Sequence, residues 1–167
     1  NEVTMSIRDI TQAYTQSASN LVRKFYARPP AEMDVPEGFI LQVVRPLYGV
    51  PEAGNHWFST YHKHHTDALK MVQSTYDPCL LHTTKDDTAF GIVGLQTDDT
   101  LIVANKEFAD REQTELKNAK FMAKERETLT SSTPLKFNGG LITQHENGSI
   151  YLNQQKQCEN LRLVKTE

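Results

Sequence analysis

Cysteine is nearly absent from this sequence: Cys79 and Cys158 are its two, far apart and without metal-ligand spacing. That excludes a disulfide scaffold and a cysteine-based zinc site, and it points to reduced thiols in an intracellular setting. No uninterrupted apolar run approaches the ~18 residues that a membrane-spanning helix needs. An excess of positive charge is missing as well. Eighteen Lys and Arg face 21 Asp and Glu, a net charge of −3, which argues against a free-standing nucleic-acid binder because phosphate contacts call for a basic surface. No secretory leader, internal repeat or low-complexity tract is visible. The first residue is Asn1 rather than Met and a strand pattern begins almost at once, so the expectation is one domain over residues 1–167, cut from a longer intracellular chain and not secreted.

The stretch TAFGIVGLQTDDTLIVAN, residues 88–105, organises what is present. Two apolar runs flank a short turn that carries Asp98 and Asp99, which reads as two antiparallel strands buried on both faces. Ionised acids beside a core need a partner or a cation, although Asp is also a good turn residue. From the hairpin alone, a plain turn and a metal site are equally good accounts.

Residues 2–10 alternate so that Val3, Met5 and Ile7 share a face, and Asp9 ends that stripe. A short strand is expected near residues 21–27, where Arg23, Lys24 and Arg28 suit a solvated edge first and phosphate contact second, followed by a proline-rich loop and a strand at 40–44. Pro51 and Glu52 open a helix running to about Met71, with Trp57, Tyr61, Ala68, Val72, Phe58 and Leu69 as its buried side. His56, His62, His64 and His65 fall on that helix. Their spacing does not gather three of them with an acid, so they are assigned to a solvated face. Residues 75–83 read as a strand and residues 106–120 as a second amphipathic helix. LKFNGGLIT and SIYLNQ read as a hairpin around HENG, and a last helix begins with QKQCENLRL.

The resulting β-α-β-β-α-β order suggests a ferredoxin-like, split βαβ α+β fold, an antiparallel sheet with two helices on one face. In that arrangement the strand ending in Asp9 lies beside the hairpin ending in Asp98 and Asp99. Three acids at one end of a sheet repel one another. A divalent ion with oxygen ligands, Mg²⁺ or its substitute Mn²⁺, is the natural remedy, and two such ions suit in-line phosphoryl transfer.

The series DITQAY, RPLYGVPEAGNHWF, YDPCLL, TDDTLIV and LKFNGGLI resembles, in order and spacing, the reverse transcriptase of copia-type LTR retrotransposons, over nearly the whole chain. The resemblance implies a palm domain with a C-terminal primer-grip-like hairpin. It implies an RNA-directed DNA polymerase that adds dNTPs to a primer on an RNA or DNA template. Fingers, thumb and RNase H would then lie in other polyprotein segments, and the location would be a cytoplasmic particle or the nucleus. Asp9, Asp98 and Asp99 would be the catalytic metal ligands. Tyr14, five positions after the first aspartate, would crowd the 2′ position of the incoming sugar. Glu52, Gln96 and Thr97 would line the nucleotide side, and Phe137 and Gly139 the primer side. Three positions depart from the family pattern: Glu52 stands where many members have Gln, and Gln96 and Thr97 replace the usual aromatic and aliphatic residues before the aspartate pair. A non-catalytic retrotransposon-derived remnant, acting as a structural or nucleic-acid-binding module, is the competing expectation.

Overall fold

The computed structural model describes residues 2–162, so Asn1 and the end of the expected last helix lie outside the described residues. The order of elements is β1 (Val3–Asp9), a 3₁₀ turn (Ala13–Gln16), β2 (Phe25–Ala27), β3 (Leu41–Val43), α1 (Ala53–Asp67), β4 (Val72–Gln73), β5 (Leu80–His82), β6 (Gly91–Gln96) and β7 (Asp99–Asn105). There follow α2 (Lys106–Asn118), β8 (Glu127–Thr128), β9 (Leu135–Phe137), β10 (Gly140–Gln144), β11 (Ile150–Asn153) and α3 (Gln155–Glu159). All strand pairings are antiparallel, and the fold is mixed α+β. The main sheet has the order β4-β5-β6-β7-β1-β8. The first strand is thus inserted between the hairpin and a late edge strand. Among the described residues no helix is long and apolar enough to cross a membrane.

Alternation decides which side each strand buries. Val93 and Leu95 of β6, Ile102 and Ala104 of β7, and Leu81 of β5 point to one face, where Trp57 and Tyr61 of α1 and Phe108 and Leu116 of α2 cover them. Fully burying each of the Val, Leu and Ile side chains contributes about 1.5–3 kcal/mol. Gly91 permits the closest approach: a Cβ there would stand 2.6 Å from the Phe108 ring. The opposite face is covered separately, by Leu129, Leu135 and Ile142 meeting Ile7, with Met5, Leu101 and Phe137 packed around them. Burial of the hairpin on both faces is therefore corrected. Ile92 stays 37% exposed, because the second layer does not reach that far along the sheet.

Other boundaries move for physical reasons. Helix α1 stops at Asp67 rather than Met71: Leu69 turns inward to full burial and Lys70 adopts φ 57°. Val72, expected on the buried side, is exposed. Of the strand expected at 75–83 only Leu80–His82 is extended, as β5; it follows a turn that Asp77 stabilises by accepting a hydrogen bond from the Cys79 amide at 2.7 Å. LKFNGGLIT is not one strand. Asn138 and Gly139, at φ 46° and 73°, make the two-residue turn joining β9 to β10, as an Asn-Gly pair with both φ positive does in a type I′ hairpin. These strands and β11 form a sheet of their own, while β8 closes the main sheet.

The solvated histidine face is also corrected. His64 and His65 are buried, because Phe121, beyond the end of α2, packs edge-on against His64 at 5.2 Å and Tyr61 packs edge-on against His65 at 4.5 Å. The Nδ1 of His65 donates to the Tyr61 carbonyl at 2.8 Å, and its Nε2 has no partner. Burial pushes its pKa down to about 3, so the ring is neutral.

Candidate functional site

The β1–β7 register runs from Val3 opposite Asn105 to Asp9 opposite Asp99. Asp9 and Asp99 are therefore cross-strand neighbours at one end of the sheet, as alternation and hairpin position together require. Gln96 pairs with Asp99 across β6 and β7, which leaves Thr97 and Asp98 as a two-residue turn. Thr97 has φ 52°, a conformation that a β-branched residue adopts only under constraint. The constraint comes from both sides. Trp57 Nε1 of α1 donates to the Thr97 carbonyl at 2.6 Å, and the Ile10 amide donates to the Asp98 carbonyl at 2.8 Å. One turn further along α1, the Tyr61 hydroxyl meets Thr100 Oγ1 at 3.1 Å. The acid-bearing turn is clamped by a helix on one side and β1 on the other.

Charge at this end is poorly balanced. Burial, then the charges of Asp98 and Asp9, hold the Asp99 carboxyl above its ordinary range. Lys124 is the counterweight: its Nζ lies 2.7 Å from Asp9 Oδ2, and that hydrogen bond raises the ammonium's pKa. Around the acids stand two tyrosines. Tyr14, on the 3₁₀ turn just after β1, has its ring centroid 4.5 Å from that of Tyr48. Burial, followed by the charge of Asp98, raises the Tyr48 hydroxyl. A cavity of about 230 Å³ opens here between Tyr14, Gly54, Trp57, Tyr61, Gln96 and Thr97. The Tyr14 hydroxyl lies 3.9 Å from where a Cβ on Gly54 would be.

Glu52 sits at the start of α1 without capping it. Its carboxylate accepts from Arg23 Nε at 2.8 Å, so Arg23, assigned above to a solvated edge, has an ionic partner. Gln96 is exposed at the end of β6. Phe137 and Gly139 belong to the second sheet: Phe137 packs with the Ile7 cluster, its ring tip 3.7 Å from where a Cβ on Gly94 would be, and Gly139 supplies the φ 73° of the β9–β10 turn. The structure thus draws Asp9, Asp98, Asp99, Tyr14, Gln96 and Thr97 to one end of the main sheet, and Phe137 packs on its helix-free face, the face that Asp9 and Asp99 share with Ile7 and Leu101. Cys79 and Cys158 are both free.

Three carboxylates are hard oxygen donors of the kind Mg²⁺ takes, and the Asp99 carboxyl is raised by burial first and by the charges of Asp98 and Asp9 after it. The donor chemistry fits a divalent ion. As the side chains stand, no three His, Cys, Asp or Glu among the described residues form a metal-binding group, and one oxygen of Asp9 is engaged by Lys124. Lys124, Tyr48 and the Trp57 clamp were missed by sequence reasoning. The aromatic-rich LYGV and HWF stretches were the available signal for the last two, and Lys124 had none. Comparison with protein-family models, curated proteins and solved structures finds no match to this chain.

Proposed function

We propose that the chain is the palm-centred core of a reverse transcriptase of the copia-type LTR retrotransposons, an RNA-directed DNA polymerase that adds dNTPs to a primer. The observation that carries this reading is the register setting Asp9 beside Asp99, with Asp98 in the clamped turn next to them. The strand order β6-β7-β1-β8, with α1 and α2 over one face, supports a ferredoxin-like palm. Asp9, Asp98 and Asp99 hold the ions. Mg²⁺ or Mn²⁺ bound there supplies charge neutralisation and a more acidic primer hydroxyl for in-line transfer. Tyr14, buttressed by Tyr48, presents a ring that excludes a 2′-hydroxyl by bulk. Gln96 and Thr97 line the nucleotide side. Arg23 holds the Glu52 charge, which relieves its repulsion of a triphosphate. Phe137 and Gly139 present the primer-side hairpin. A net charge of −3 gives the chain little field of its own for nucleic acid, so template and primer are gripped together with further polyprotein segments, inside a cytoplasmic particle or the nucleus.

A second reading, a retrotransposon-derived remnant with a structural or nucleic-acid-binding role, is favoured by the lack of a three-ligand group among the described residues. Mn²⁺ titration followed by electron paramagnetic resonance separates the two. The polymerase reading expects binding that Asp98→Asn weakens at least about tenfold, the effect of ~1.4 kcal/mol, with primer extension by this chain nearly absent alone and recovered when it is joined to further polyprotein segments. A chain that binds no Mn²⁺ and extends no primer is the remnant.

A further inference from the structure

The main chain at Lys124 is held from two directions. The Lys124 amide donates to the Asp9 carbonyl at 2.9 Å, next to the isolated bridge between Ile10 and Ala123. The Lys124 carbonyl accepts from Nη1 of Arg8 at 3.1 Å, and Arg8 is itself anchored on Glu112. Only the aliphatic arm and ammonium are free to swing, and the side chain is 67% exposed. The ammonium nevertheless rests on Asp9 Oδ2 at 2.7 Å, and its charge is also felt at Asp99.

We propose that Lys124 is a built-in counter-ion: without a divalent ion it holds Asp9 out of the ligand set, and it must leave that carboxylate when the ion binds. This rests on the metal-centre reading above and adds to it a residue that sets the affinity. Electrostatics gives the direction. One ammonium offsets a single charge among three acids and leaves the site attractive to a divalent ion, while competing for one of its oxygens. Because a solvent-exposed ion pair is weak, the ammonium yields readily, and its removal tightens divalent binding by about three- to tenfold rather than by orders of magnitude.

The test measures Mn²⁺ affinity of the 167-residue chain by electron paramagnetic resonance, for the unaltered protein and for Lys124→Met, Lys124→Arg and Lys117→Met. Expected are tighter binding in Lys124→Met alone and no further gain when Lys124→Met is added to Asp9→Asn. Equal or weaker binding in Lys124→Met, while Asp98→Asn still weakens it, overturns this inference and leaves the metal centre standing. Absence of Mn²⁺ binding in every variant overturns both. A second measurement uses the unaltered chain: acetylation of Lys124 by acetic anhydride, read by mass spectrometry, rises when Mn²⁺ is added. An unchanged yield in a protein that binds Mn²⁺ also refutes the counter-ion.

Discussion

Arg8 and Asp9 are adjacent on β1 and live under opposite electrostatic rules. Arg8 points to the helix-covered face, where it is 2% exposed, and donates from Nε and Nη2 to the two carboxylate oxygens of Glu112 at 3.1 and 2.7 Å. Gln113 accepts a further bond from Arg8, and Arg126 reaches Glu112 at 3.4 Å. Burying two charges is costly, and the cost is offset only by geometry of this quality. Asp9 points the other way, toward two acids and one exposed lysine. Where the fold needs a rigid interior it closes every charge with partners from distant segments. At the end of the sheet it leaves negative charge in excess. The interior closes its charges while the edge leaves negative charge in excess.

Removing Glu112 breaks the closed side outright. Glu112→Ala strands Arg8 in the core without its partner and is expected to cost about 3–5 kcal/mol in urea unfolding. Combining Arg8→Met with Glu112→Leu restores much of that loss. A small loss in the single variant would show that water reaches Arg8 and that the two regions differ less than their burial implies.

Acid sharpens the contrast through His65. Its folded pKa of about 3 lies below the ordinary 6.5, so the unfolded chain binds the additional proton between those values. The stability it contributes is full above pH 6.5 and is lost as pH falls toward 3. The slope is about 1.4 kcal/mol per pH unit, which makes the loss at pH 5 about 2 kcal/mol. His64, also lowered by burial, acts in the same direction. Melting curves at pH 7 and pH 5 should show this dependence, and His65→Phe should flatten it. An equal slope in His65→Phe would place the titrating group elsewhere.

The smallest expected effect has the opposite sign and comes from the open side. Asp9 and Asp99 are like charges directly across a strand pair, an arrangement that destabilises by about 0.2–1 kcal/mol. In metal-free buffer Asp99→Asn should therefore raise the melting temperature slightly while weakening Mn²⁺ binding. A lowered melting temperature would mean that the Asp99 carboxylate is well partnered in the free protein.

Local chemistry made a good part of this legible. Alternation along residues 3–9 and the two apolar runs around the Asp98-Asp99 turn marked the central strands, and the order of elements brought Asp9 and Asp99 to the same end. Asn105, where β7 passes into α2, accepts a hydrogen bond from the Phe108 amide at 3.0 Å, a capping signal that was present and went unread. The Asn-Gly pair at 138–139 likewise announces a hairpin inside LKFNGGLIT.

Other features were beyond any local pattern. The partner of Arg8 lies 104 residues away and the lysine on Asp9 115 residues away. Nothing in the sequence around either end distinguishes a charge that will be closed from one that will be left open. His64 and His65 looked solvated because helical periodicity registers one covered face, whereas the segment carrying Phe121 covers a second. The sequence by itself determined the central strands, the two main helices and the end of the sheet to which the acids belong, since these depend on near neighbours and on a repeat of two or 3.6 residues. Only the tertiary structure decided which charges found partners and which rings lost water, because both depend on the distant segment that packs against them.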